Sequence, residues 1–159
     1  TRCIDACPTA AIVPSEKGGF ELDARRCISY FSIELRSSIP EEFRAGMGRH
    51  VFGCDICQDV CPWNRRKRVA AGPAREDLFA PPLERLAGMS KAEFTQLFRG
   101  TAATRSKYGG FLRNVAIAMG NSGETKFRQP LERLAESDDP LVAEHPVTKV
   151  SSCYWTPTT

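Results

Sequence analysis

Gly53-Cys54-Asp55-Ile56-Cys57-Gln58-Asp59-Val60-Cys61-Pro62 is a C-x2-C-x3-C-P run. Working outward from it, Cys3-Ile4-Asp5-Ala6-Cys7-Pro8 is a shorter echo, C-x3-C-P, and Cys27 stands by itself between the two. Six of the seven cysteines therefore fall within the first 61 residues. An iron–sulfur cubane presents four irons, each needing one thiolate. Cysteines two or three residues apart on a tight turn reach neighbouring corners, a fourth comes from elsewhere in the chain, and a proline just after a ligand turns the chain away. Bacterial ferredoxins carry C-x2-C-x2-C-x3-C-P, whose last cysteine serves the other cluster. Cys3, Cys7 and Pro8 match the end of that run. Two further cysteines are expected just ahead of Thr1, so the chain reads as a fragment cut inside a motif.

Two other uses of seven cysteines suit these spacings less well. Secreted disulfides do not suit repeated C-x2-C and C-P spacings without a visible secretory signal. Zinc ribbons use paired C-x2-C knuckles, and this sequence has one such pair and two cysteines followed by proline. Cluster ligation carries the expectation of a reducing, cytoplasmic compartment. The 159 residues suffice for one domain or two small ones. Apolar content of 42% and charge content of 26% are ordinary for a soluble protein. The longest apolar stretch, 115–119, is far too short to span a bilayer.

Net charge is only +3, but its distribution is uneven. Arg65, Arg66, Lys67 and Arg68 form an unbroken basic run, and Arg99, Arg105, Lys107 and Arg113 form a second basic zone. Such clusters hold phosphates or simply face solvent.

Along the chain, the apolar run 9–13, the turn signal Lys17-Gly18-Gly19 and the alternation Phe20-Glu21-Leu22-Asp23 read as a small hairpin that shields a cluster from water. Residues 24–32 carry Cys27 with no partner in a C-x2-C pair; Cys54 and Cys57 supply that pair downstream. Pro40-Glu41-Glu42 begins a short helix in the inserted piece. Residues 70–82 are a linker by composition, and residues 64–89 are assigned to it as a whole. Ser90-Lys91-Ala92-Glu93 is a capping box opening a helix with Phe94, Leu97 and Phe98 on one face. A second helix runs over 110–119, with Gly120-Asn121 as its stop. Phe127, Leu131 and Leu134 keep helical spacing, and Asp139-Pro140 caps one more helix. Helices this short, joined by tight turns, suit either HEAT-like stacking or a plain bundle. Residues 146–159 carry no pattern, and Cys153 there reads as a free surface thiol.

Three stretches then carry a resemblance: Cys-Ile-Asp-Ala-Cys-Pro-Thr-Ala-Ala-Ile-Val at 3–13, Asp-Ala-Arg-Arg-Cys-Ile-Ser-Tyr at 23–30 and Gly-Cys-Asp-Ile-Cys-Gln-Asp-Val-Cys-Pro-Trp-Asn at 53–64. With Leu-Arg-Asn-Val-Ala-Ile-Ala-Met-Gly-Asn at 112–121, they resemble the epoxyqueuosine reductase family over residues 1–145. The resemblance implies an α+β fold: a ferredoxin-like module with two [4Fe-4S] clusters at 1–63, a linker at 64–89, an α-helical HEAT-like domain at 90–145 and an irregular tail at 146–159. A cobalamin-binding domain would precede Thr1. It also implies that Cys7, Cys27, Cys54 and Cys57 hold one cluster, and that Cys3 and Cys61 share in the other. Ser29, Cys54 and Asp55 would contact cob(II)alamin, and no catalytic residue is expected within these residues. The implied activity is two-electron reduction of epoxyqueuosine in a tRNA anticodon to queuosine. Electrons would come from a flavodoxin- or ferredoxin-type donor to a monomeric protein away from membranes, with basic residues holding tRNA. The rival readings are an iron–sulfur electron-transfer module of another cobalamin-dependent reductase, of the reductive-dehalogenase kind, and a zinc-binding interaction module.

Overall fold

The computed structural model describes residues 1–64, 78 and 80–146, and the backbone of 148–150 and 153–155. The chain begins with α1 (Arg2–Ala6), then β1 (Ile12–Pro14) and β2 (Phe20–Leu22). The two strands pair antiparallel with Ile12 opposite Leu22 and Pro14 opposite Phe20. Gly18 and Gly19, at φ 88° and 78°, make the reversal, a left-handed backbone open to glycine without steric cost. The expected hairpin is therefore present. Phe20 and Leu22 are 55% and 61% exposed, since two strands of three residues bury little by themselves.

A 3-10 turn at Ala24–Arg26 follows, capped by the Asp23 carboxylate, which accepts the Arg25 N–H at 3.0 Å. Cys27 then stands at the N-cap position of α2 (Ile28–Ile33). The inserted piece holds α3 (Glu41–Arg44), with Pro40 at its N-cap position, and the chain returns through α4 (Ile56–Asp59). Gly46 lets this piece lie against the Cys7 loop: a Cβ there would meet Thr9 Cγ2 at 3.0 Å and the Pro8 carbonyl at 3.1 Å.

The second half is helical: α5 (Leu83–Ala87), α6 (Lys91–Leu97), α7 (Tyr108–Ser122), α8 (Arg128–Ala135) and α9 (Pro140–Ala143). The capping box is complete, with Ser90 Oγ accepting the Glu93 N–H and the Glu93 carboxylate accepting the Ser90 N–H at 2.7 Å. Asp139 caps α9 through the Leu141 N–H, with Pro140 in the first turn. Phe94, Phe98 and Phe111 stack with centroids 5.0–5.4 Å apart. They sit in a core completed by Leu86, Leu112, Val115, Met119, Leu131 and Val142.

Three expectations need correcting. The long helix does not stop at Gly120-Asn121 but runs to Ser122 and ends on Gly123, at φ 68°. Gly120 is buried, and Asn121 Nδ2 donates to the carbonyls of Arg44 and Gly48 at 2.7 and 2.9 Å, so this pair serves packing rather than a turn. The stretch 64–89 is not all linker, because α5 lies within it and both Leu86 and Met89 are buried; residues 65–77 and 79 lie outside the described residues. The tail is not wholly irregular either: β3 (Thr148–Val150) pairs antiparallel with β4 (Cys153–Trp155).

The division between 1–63 and 90–145 is also bridged. Ile117 on α7 shares a second core cluster with Ile28, Phe31, Ile39 and Met47. His145, 1% exposed, accepts the Ile39 N–H on Nε2 at 3.2 Å while Nδ1 donates to the Leu141 carbonyl at 2.8 Å. Arg44 reaches the Glu144 carboxylate at 2.7 Å beside it. One long helix thus serves as a common wall for both halves.

Candidate metal centre

All six cysteines of residues 1–64 are free thiols at intermediate exposure. The described backbone includes Cys153 in β4, but its side chain lies outside the described residues. Cys7 and Cys54 show how the local chain prepares sulfur for a metal. The turn after Cys7 folds back so that the Ala11 N–H donates to Sγ at 3.3 Å, with the Thr9 hydroxyl at 3.7 Å. Burial works against ionisation of this thiol. The N–H groups of Ala11 and Thr9, the Thr9 hydroxyl and the Ala10 N–H outweigh that effect and hold it below the usual thiol range. Hydrogen bonds to sulfur are one of the levers that set a cluster's potential.

Cys54 is shifted the other way. Burial raises its pKa, the Ile56 N–H opposes this, and the charges of Cys27, Cys57 and Cys7 raise it further. Cys54 therefore lies within electrostatic reach of the other three thiols, drawn from the α1 exit, the α2 entry and the α4 start. Bringing four thiolates together without a cation is unfavourable, and a positive metal centre reverses the sign of that interaction. Among the described residues, no three His, Cys, Asp or Glu side chains close on one ion-sized point. A cubane does not require such closure, because each ligand meets a different iron. The donor set thus fits a [4Fe-4S] cluster in chemistry and in number.

Cys3 and Cys61 are the other two cysteines of residues 1–64. Cys3 is on α1; Cys61 follows α4 and lines an open depression with Arg2, Asp5, Ala6, Asp59 and Val60. Ser29 is half-buried within α2, and Asp55 is exposed at the N-cap position of α4, directly after Cys54.

The second basic zone does not survive as a unit. Arg113 is 1% exposed and donates to the backbone carbonyls of Phe31, Leu35 and Ser37 at 2.6, 3.1 and 2.6 Å, so it is unavailable to phosphate. Burial pushes its pKa down to about 10, with the Arg36 charge adding to the shift, and it remains a cation at neutral pH. Arg105 pairs with Glu34, while Arg99 and Lys107 are exposed. The basic run at 65–68 lies outside the described residues. Sequence reasoning passed over Ser32 and Asn114, both 0% exposed. The available signal was a polar pair, Arg113-Asn114, inside an otherwise apolar helical stretch.

Comparison with known proteins matches this geometry. Residues 1–64 fit the family described as a 4Fe-4S double cluster binding domain. The epoxyqueuosine reductase of Xanthomonas campestris pv. campestris is 42% identical over 149 residues, which cover 91% of this chain and 41% of that protein. That of Escherichia coli K12 is 39% identical over 146 residues, 90% of this chain and 38% of that protein. A crystal structure of epoxyqueuosine reductase with an epoxyqueuosine-modified tRNA-Tyr stem loop superposes with a TM-score of 0.77 at 30% identity, over 91% of this chain and 38% of that one. The chain spans about two fifths of the length of these relatives. Within that span, across the cysteine-bearing segments and the helices packed on them, the chain belongs to the epoxyqueuosine reductase family.

Proposed function

We propose that this chain is the electron-carrying part of an enzyme that reduces epoxyqueuosine in a tRNA anticodon to queuosine. The reaction removes the epoxide oxygen as water and leaves an alkene, consuming two electrons and two protons. When bound, [4Fe-4S] clusters supply one-electron carriage from a donor to a corrin, cob(II)alamin, held outside these residues. Cys7, Cys27, Cys54 and Cys57 hold one cluster; Cys3 and Cys61 are ligands of the other, with two thiolates from outside residues 1–64. The N–H donors at Cys7 and Cys54 stabilise the thiolate forms. Ser29, Cys54 and Asp55 would contact the corrin when it is bound. Arg99 and Lys107, with the 65–68 run, are the candidates for tRNA phosphates. Helices α6–α9 are read as HEAT-like. The protein works as a cytoplasmic monomer with a flavodoxin- or ferredoxin-type donor, and no described helix is long and apolar enough to cross a membrane.

One observation carries this reading: the match to a solved epoxyqueuosine reductase runs through the cysteine segments and on through the helices, covering 91% of the chain. A free ferredoxin or a zinc knuckle has no reason to share α5–α9. The test uses the anaerobically isolated full-length protein with cobalamin, a low-potential reductant and a stem loop carrying epoxyqueuosine. Mass spectrometry of the digested nucleosides should show a product lighter by one oxygen. A brown, reducible protein that leaves the stem loop unchanged but dehalogenates an organohalide would move the chain to the other corrin-dependent reductases.

A further inference from the structure

We infer that Ser32, Asn114 and Arg113 are positioning residues of the cluster, joined in one buried hydrogen-bond chain that fixes the Cys27 peptide against the Cys54 peptide. The inference rests on the reading above that Cys27 and Cys54 ligate the same cluster. Ser32 Oγ donates to the Ile28 carbonyl at 2.8 Å and accepts the Gly53 N–H at 3.0 Å. Ile28 directly follows Cys27, and Gly53 directly precedes Cys54. A helical serine that bonds back four residues is commonplace. One that also receives an N–H from a segment 21 residues onward links two strands of chain that each carry a thiol.

Asn114 makes the same link a second time. Its Nδ2 donates to the Ser32 carbonyl at 2.8 Å and to the Val51 carbonyl at 2.9 Å. Its Oδ1 accepts from Arg113 Nε at 3.1 Å and Nη2 at 3.0 Å, which leaves the amide one workable orientation. The remaining guanidinium donors of Arg113 take the carbonyls at the end of α2 and beyond. Among the described residues no buried side-chain nitrogen or oxygen lacks a partner. A fully satisfied polar network in a core adds little stability over apolar packing, but it admits one geometry. Here that geometry is the spacing of two cluster ligands, and ligand placement and hydrogen bonding tune a cluster's potential.

The test compares the full-length protein, isolated anaerobically, with Ser32→Ala, Ser32→Thr and Leu131→Ala. Leu131 is buried in the α8 packing, away from the hydrogen-bond chain. Ser32→Ala should lose iron to a chelator about tenfold faster, from the stranded Gly53 N–H. It should also shift the g values and midpoint potential of the reduced cluster, and Ser32→Thr, which keeps the hydroxyl, should restore both. Leu131→Ala should melt at a lower temperature and leave the g values and potential unchanged. If Ser32→Ala does not fold, Asn114→Asp gives the same readout, since it keeps the Arg113 pairing and loses both donated bonds. A Ser32→Ala protein that melts lower with wild-type spectrum, potential and iron loss would reduce the network to scaffolding and overturn the inference. An unsubstituted protein that binds no iron would instead overturn the cluster reading on which it stands.

Discussion

Helix α7 and the cysteine-bearing helices are built on opposite principles. Every residue of α7 from 110 to 120 is buried, whereas α1 and α4 contain no buried residue at all. The first owes its order to apolar area withdrawn from water, at about 25 cal/mol per Å². The second has little such area, and its strand β2 is exposed along its length. What α1 and α4 have instead is sulfur. Small metal-binding segments obtain folding free energy from the ligated metal, so α1, β1 and α4 are expected to depend on a bound metal, whereas Ile28, Phe31, Ile39 and Met47 already pack against Ile117 of α7.

The largest expected effect tests this contrast directly. Stripping iron from the full-length protein with a chelator and an oxidant should abolish amide-exchange protection across α1, β1 and α4. Protection in α7 should persist. If α7 opened together with the cysteine segments, the two regions would be one cooperative unit, bound through the shared cluster of Ile117, Phe31 and Ile39.

The converse perturbation removes the apolar side. Phe111 is 2% exposed and packed between Phe94 and Phe98. Phe111→Ala should destabilise the helical half by about 3–5 kcal/mol in denaturant unfolding. Iron content at ambient temperature should stay at the wild-type value. A loss of iron matching the loss of stability would again break the separation.

Acid probes the seam between the regions. Burial, then the Arg44 charge, lowers the His145 pKa from 6.5 to about 4, against opposing contributions from the Leu141 carbonyl and Glu144. The folded state keeps this imidazole neutral while the unfolded chain protonates it below its usual value. The unfolded state therefore binds more protons between these values, and stability falls as pH drops from about 6.5 towards 4. His145→Gln should flatten that part of the stability–pH curve by roughly 3 kcal/mol. An unchanged slope would place the acid sensitivity elsewhere.

How far the sequence could be read follows the same division. The cysteine spacings, the Gly18-Gly19 reversal, the Ser90–Glu93 box and the Asp139-Pro140 cap are local chemistry, decided within a few residues, and each could be located in advance. What sequence left open depends on distant partners. Asn121 looks like a turn former until the Arg44 and Gly48 carbonyls receive its amide. Arg113 looks like a phosphate ligand until the end of α2 encloses it. The cysteines of the candidate site were legible from their spacing. The support of that site was not, because Ser32 and Asn114 acquire their role only when residues 51–53 pack beside α2.

The smallest expected effect belongs to the most legible feature. Ser90 caps α6 reciprocally with Glu93, and the Ser90 hydroxyl and N–H hold that carboxyl below its usual range. Ser90→Ala leaves one N–H of the first turn to water and should cost about 1 kcal/mol, or about 2–4 °C in thermal midpoint for a protein of this size. The cap sits at the edge of the helical core, and its loss should leave cluster spectrum and iron retention unchanged. A spectral change in Ser90→Ala would mean that strain at α6 reaches the thiols through α7. The long helix would then transmit motion between the regions as well as wall them together.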